Sequence, residues 1–201
     1  GQGLFNYGRK LYSNWNEQLF EEALKLFPLN PKNSFRKLSR GQRTSVILTM
    51  GLASGARYTF FDEPSLGLDA ANRYHFYQKV LEEFQKGGRT FIISTHIIDE
   101  AATLFEEAII LRDKEVYLKE EVPTLLQQGF SLRGRKETLD ELYLKHSLLN
   151  TETFGSSEFR SYYGELSEEE RQRIKDLDLD LENLSLQNLF VHLTEGEDNG
   201  Q

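Results

Sequence analysis

Three short segments hold the residues whose types and spacing suit chemistry. The first is Leu38-Ser39-Arg40-Gly41-Gln42. Ser39 and Gln42 have the spacing of a capping box, so a helix is predicted to start here. A helix N-terminus offers unpaired N–H groups and the positive end of a dipole, which attracts phosphate. Ser39 adds a hydroxyl, and Gly41 lets the backbone approach closely. A plain helix cap is the other use of the same residues, and the two uses are compatible. The second segment is Asp62-Glu63-Pro64, directly after Tyr58-Thr59-Phe60-Phe61. A carboxylate at the end of a buried strand is costly unless it is solvated or bound to a cation. Strand alternation points Glu63 away from Asp62. Read blandly, these are two acids opening a turn before Pro64. The third segment is Thr95-His96, just past Thr90–Ser94. A histidine alone at a strand end is more often a structural hydrogen-bonder than a reactive group. Asp69 stands between the second and third segments, placed to cap a helix.

The elements that must position these groups follow from periodicity. Asn14 or Asn16 caps a first helix, in which Leu19, Phe20, Ala23, Leu24 and Phe27 recur at 3.6-residue spacing; Pro28 and Pro31 end it. Residues 32–38 are a basic connector. A helix runs from Ser39 to about Ala53, and Tyr58–Phe61 forms a buried strand ending at Asp62. Asp69 caps a helix over about Ala70 to Lys86, with Arg73, Tyr77, Val80, Leu81 and Phe84 on its inner face and Gly87-Gly88 stopping it. Thr90–Ser94 is a second buried strand, and a short helix covers about Ile98 to Phe105. Ala108–Arg112 and Glu115–Lys119 pair as a hairpin about Asp113-Lys114. Residues 57–94 thus spell a βαβ unit with a parallel sheet, and the class is α/β. In such sheets functional groups gather past the carboxyl ends of the strands, where Asp62-Glu63 and His96 both fall.

The remainder reads as a separate α+β pattern. Strands are expected at Phe130–Arg133, Leu148–Thr153, Phe159–Tyr163 and Leu177–Leu181. Helices are expected at Glu137–Lys145, from the capping box at Ser167–Glu170 to about Lys175, and at Ser185–Thr194. The order βαββαβ is that of a small ferredoxin-like module.

Taken in order, Leu38–Gln42, Phe60–Pro64, Leu68-Asp69 and Ser94–His96 resemble the signature motif, Walker B segment, D-loop and switch histidine of ABC-type ATPases. The resemblance covers about residues 4 to 128 and is closest to ATP-binding subunits of bacterial ABC exporters. It implies a partial P-loop ATPase domain over 1–129, with a parallel sheet, while the charge shift near Gly129 and the βαββαβ order set off an acidic α+β module over 130–201. It implies ATP and Mg²⁺ as cofactors, with Asp62 beside the Mg²⁺ through water, Glu63 as the general base for the attacking water, and His96 contacting the γ-phosphate. It implies nucleotide contact by Leu38, Ser39, Arg40, Gly41 and Gln42, and by Asp69 across a dimer. The expected partners are a second ATP-binding subunit and a membrane permease, and the expected place is the cytoplasmic face of the plasma membrane. Leu66 and Ala70 stand where Ser and Pro are frequent in relatives, with little consequence expected.

One expected part is missing. No G-x-x-x-x-G-K-[ST] occurs in the 201 residues. Gly51-Leu52-Ala53-Ser54-Gly55 has glycines but no following Lys-Ser/Thr, and Gln2 is too near the signature to serve as a Q-loop glutamine. The phosphate cradle needs that loop. The expectation is therefore an N-terminally truncated ABC subunit, inactive by itself, coupling ATP hydrolysis to export when complete. The rival readings are a non-transport ABC ATPase and a non-catalytic regulatory fragment.

Composition narrows the field. The chain has 201 residues, no cysteine and one methionine, Met50. Disulfides and thiolate metal sites are excluded. The apolar run Val46–Ala56 is far shorter than the roughly 20 residues a membrane span needs. Residues 1–129 hold 16 basic and 16 acidic side chains, and 130–201 hold 8 and 16, so the whole net charge of −8 lies in the second part. No nucleic-acid partner is expected from that balance. Asp176-x-Asp178-x-Asp180 imitates a calcium loop, but Leu181 and Gln187 stand where Gly and Glu are required, and alternation with Leu177 and Leu179 fits a strand. His75, His146 and His192 lack ligand spacing. Phe159, Tyr162 and Tyr163 read as core.

Overall fold

The computed structural model describes residues 2–27 and 33–195. Pro28 and Pro31 lie outside the described residues. The chain divides into two compact units, Gly1–Glu100 and Ala101–Gln201.

The first unit begins with α1 (Gln2–Leu11) and α2 (Glu17–Leu26). Asn16 caps α2, its side-chain oxygen accepting the Leu19 N–H at 3.0 Å. Nothing local in the sequence announces α1, which contains Gly3 and Gly8. Tertiary packing holds it: Phe5 is buried edge-on against Phe20, their rings 4.8 Å apart. A Cβ at Gly8 would lie 2.7 Å from the Trp15 ring, so glycine is needed there for close approach. Arg9 caps this cluster, lying over Phe20 and pairing with Glu17. Phe5, Phe20, Leu38, Val46 and Ala53 form the buried centre, flanked by Trp15, Leu24, Phe35 and Met50.

After a 3₁₀ turn at Phe35–Lys37 come α3 (Arg40–Ala53), β1 (Tyr58–Asp62), α4 (Ala70–Gln85) and β2 (Thr90–Ser94). β1 and β2 are parallel, in register from Tyr58↔Thr90 to Asp62↔Ser94. Only one face of this pair is buried, contrary to the expectation of two buried strands. Phe61 packs edge-on to Phe76 of α4 and against Gly51 of α3, where a Cβ would meet its ring at 2.5 Å. Both helices cover this same face, so Tyr58 and Phe60 on the other remain exposed, Phe60 by 71%. The inner face of α4 is also rotated from expectation: Phe76, Tyr77, Val80 and Glu83 are its buried residues. Arg89 bolts the base of the unit together, donating to the Leu52, Gly51 and Ala56 carbonyls and the Thr59 hydroxyl and lying over Phe91.

The chain leaves through α5 (Ile98–Ala101) and a 3₁₀ turn at Ala102–Leu104. In the second unit β3 (Glu107–Arg112) and β4 (Glu115–Glu121) form the expected antiparallel hairpin. Asp113 and Lys114 both have positive φ, as a two-residue hairpin turn of matching twist requires. Then follow α6 (Val122–Gln128), β5 (Gly129–Arg135), α7 (Lys136–Glu141), β6 (Ser147–Phe154), β7 (Ser157–Tyr163), α8 (Glu168–Asp176), β8 (Asp180–Asn183) and α9 (Leu186–Glu195). The sheet order is β6-β7-β5-β8, with every neighbouring pair antiparallel. β5 and β6 therefore run parallel with β7 inserted between them, which is the split βαβ arrangement. Phe130, Leu132, Leu139, Leu142, Tyr162, Leu166, Ile174 and Leu179 make the core of this sheet and its helices. The charge shift near Gly129 falls inside this second unit, where α6 meets β5.

Two expected elements differ. α7 stops at Glu141 instead of Lys145, because Leu142 and Leu144 both pack on the core while Tyr143 between them is exposed. That period of two is extended backbone, not helix. The strand expected at Leu177–Leu181 begins only at Asp180. Leu177 and Asp178 close α8: the Leu177 N–H donates to the Arg173 carbonyl and the Leu179 N–H to that of Ile174, with Asp178 at φ +53°. Asp176, Asp178 and Asp180 thus lie at a helix end, in a turn and on a strand, not along one strand. Among the described residues no group of three or more His, Cys, Asp or Glu is arranged to hold a metal ion. No described helix is long and apolar enough to cross a membrane.

Candidate active site

The predicted site residues fall into two groups, both in the first unit. One gathers at the N-termini of α3 and α4. Ser39 caps α3: its Oγ accepts the Gln42 N–H at 3.3 Å, and its own N–H donates to Gln42 Oε1 at 3.0 Å. Asp69 caps α4, taking the Asn72 N–H at 2.8 Å on one oxygen and the Asn72 side-chain amide at 3.0 Å on the other. Ser39, Gly41, Gln42, Ser45, Gly67, Leu68, Asp69 and Asn72 line a recess of about 230 Å³. Two helix N-termini therefore open on one hollow, a combination that favours an anion. Gly41 is fixed by steric need, since a Cβ there would stand 2.4 Å from the Gly67 carbonyl oxygen. Gly67 itself has φ +84°. Thr44 secures the approach by donating to the Leu66 carbonyl at 3.1 Å. Leu38 is buried in the core of the unit, so its side chain does not line the recess. Arg40 is exposed and lies beside Gly67.

The other group gathers at the carboxyl ends of β1 and β2. Asp62 ends β1 and accepts a hydrogen bond from the Ser94 hydroxyl. Glu63 follows with φ +45°, a conformation side-chain-bearing residues avoid. Its N–H donates to the Ser94 carbonyl at 3.0 Å. Its carboxylate Oε2 meets His96 Nδ1 at 2.8 Å. With the carboxylate ionised, Nδ1 is the donor. A carboxylate beside an imidazole at an open sheet edge is a pair able to accept and pass a proton. Asp62 is also exposed here, so water meets the cost of its charge and leaves room for a hydrated cation.

Supporting residues stand behind both groups, and reading the sequence missed most of them. Arg73 grips Glu100 through two bonds of 2.7 Å and donates to the Leu68 carbonyl at 3.0 Å. It thus ties the loop before α4 to the helix after His96. The Arg73 guanidinium, by hydrogen bonding, holds the Glu100 carboxyl below its usual range. Tyr77 is buried beneath the same loops, and burial pushes its phenol up. Arg73 was legible only as an inner-face residue of its helix. Ser94, Thr44 and Glu100 carried no local signal, because their partners lie 22 to 32 residues away.

No protein-family model matches the chain. It is 33% identical over 105 residues to AlbC of Bacillus subtilis strain 168, provisionally named an ABC transporter ATP-binding protein, covering 51% of this chain and 44% of AlbC. It is 31% identical over 114 residues to the aliphatic sulfonates import ATP-binding protein SsuB of Pseudomonas fluorescens Pf0-1, covering 56% and 42%. The chain thus spans less than half the length of these two relatives. A solved ATP-binding subunit of an ABC transporter shares its fold at a TM-score of 0.50 and 23% identity, over 55% of this chain and 48% of the other. Over about half its length, then, this chain is a homologue of ABC transporter ATP-binding proteins, and over a similar share its mixed α/β fold matches part of an ABC cassette.

Proposed function

We propose that the chain supplies the hydrolytic edge and the signature face of an ABC transporter ATPase. The observation that carries this reading is the Glu63–His96 pair, held at 2.8 Å past the ends of two parallel strands beside Asp62. Glu63 accepts the proton of the attacking water, and His96 steadies that carboxylate and the γ-phosphate oxygens as charge develops. Asp62 would hold a hydrated Mg²⁺, and that ion would neutralise phosphate charge. The recess at Ser39–Gln42 and Asp69 receives the phosphates of a second ATP, gripped by the P-loop of a partner cassette. The 201 residues contain no P-loop motif, so a phosphate cradle has to come from sequence outside them.

The assembly in this reading is a pair of cassettes on the cytoplasmic face of the plasma membrane, attached through a separate permease. Export is the direction implied by the resemblance in sequence, although one relative carries an import name; transport into inverted membrane vesicles tests it. The role of Glu63 is tested by Glu63→Gln in an ATPase-active assembly containing this chain. We expect turnover to fall by about 100-fold or more, the scale of a lost general base. Normal turnover would remove Glu63 from that role.

A further inference from the structure

We infer that Ser94 is a positioning residue that sets both members of the Asp62-Glu63 pair, an inference that rests on the ATP-hydrolysis reading. Ser94 ends β2 directly across the parallel register from Asp62. Its hydroxyl donates to Asp62 Oδ1. The same hydroxyl oxygen lies 3.3 Å from the Glu63 backbone nitrogen and accepts its N–H, which the Ser94 carbonyl also accepts at 3.0 Å. One side chain therefore touches the carboxylate of the first acid and the backbone of the second.

That second contact matters because Glu63 sits at φ +45°. A strained conformation of this kind persists only where its surroundings over-determine it. Here the Ser94 carbonyl and hydroxyl together hold the Glu63 N–H. The direction of the Glu63 side chain toward His96 depends on that backbone. Meanwhile the bond to Oδ1 orients the Asp62 carboxylate, which would receive a hydrated cation. A hydrogen bond to a charged group is among the stronger ones, so its loss is felt in orientation as well as energy. Ser94 touches no reacting atom in this scheme; it acts through its two neighbours.

The test uses an ATPase-active assembly containing this chain, with kcat, KM for ATP and the half-saturating Mg²⁺ concentration measured for Ser94→Ala, Ser94→Thr and Ser94→Val. Removing the hydroxyl in Ala and Val should lower kcat by about tenfold, on the scale of one lost hydrogen bond to a charged group. It should also raise the half-saturating Mg²⁺ severalfold while KM for ATP stays near wild type. Thr keeps the hydroxyl and should restore most of both. Thr and Val are nearly the same shape, so their comparison stands even if Ala fails to fold. Equal activity and equal Mg²⁺ dependence in Thr and Val would overturn the inference. So would variants that lose thermal stability while kcat and Mg²⁺ dependence stay unchanged, which is what a purely structural serine gives. Glu63→Gln runs beside them: full activity there would sink the hydrolysis reading itself, whereas an inactive Glu63→Gln with a normal Ser94→Val sinks only the role of Ser94.

Discussion

Glu100 shows how a residue outside the candidate site can brace the loop that leads into α4. Its carboxylate takes two hydrogen bonds from Arg73, whose third goes to the Leu68 carbonyl at the start of the α4 cap. Arg73 holds the carboxyl below its ordinary value of 4.5. A depressed carboxyl contributes stability that is present above its unfolded pKa and is lost as pH falls through the lower folded value. The side chains are 22% and 40% exposed, so solvent screens the pair. Glu100→Gln should therefore cost about 1 kcal/mol near pH 7, the upper end for a partly exposed pair of good geometry. Thermal unfolding of both proteins across pH should show this gap closing as pH drops below 4.5 toward the depressed value. A gap independent of pH would mean the ion pair is not its source.

At the scale of elements, the decisive contact is between the start of α3 and the loop entering α4. Both helices carry their own caps, and both present N–H ends to one recess. Gly41 permits this. Glycine inside a helix ordinarily costs about 1 kcal/mol relative to alanine, so propensity alone favours Gly41→Ala. Sterics reverse the sign, because the new Cβ would lie 2.4 Å from the Gly67 oxygen and the obstacle is backbone, not a movable side-chain tip. The neighbouring Leu66 carbonyl is already tied to Thr44 of α3, which holds this loop against the helix. We expect a net loss of about 1–3 kcal/mol, the range for overpacking a tight contact, measurable by thermal or denaturant unfolding. A variant as stable as the parent would show that the two elements separate freely in solution.

For the whole molecule, the balance of parts matters more than any one group. The first unit carries the acid pair, the histidine and the recess, while the net charge of −8 lies wholly in residues 130–201. Nothing in the 201 residues has the sequence of a loop that wraps triphosphate in backbone N–H groups with a lysine. The recess between two helix ends is lined by Ser39, Gly41, Gln42, Ser45, Gly67, Leu68, Asp69 and Asn72, with no lysine or arginine among them. Calorimetry of the 201-residue chain with MgATP should therefore show no tight binding. A micromolar dissociation constant would mean that the recess alone grips nucleotide.

The sequence by itself determined what rests on neighbours within a few residues. Caps at Ser39, Asp69 and Ser167 form as their spacing predicts, and of the two candidates Asn14 and Asn16 it is Asn16 that caps, because a side chain reaches a backbone N–H three residues on. The hairpin turn, Asp62 at the end of its strand and Glu63 and His96 just past strand ends were legible for the same reason, since strand and turn signals are local. Tertiary structure alone decided the rest. α1, with its two glycines, exists because Phe5 finds Phe20. β1 and β2 read as doubly buried but are covered on one face, since apolar content says nothing about which helices arrive. Glu63 with His96, Asp62 with Ser94, and Arg73 with Glu100 are partners 27 to 33 residues apart. Their meeting depends on the register of a parallel sheet and on the packing of the crossover helix, and no local spacing encodes either.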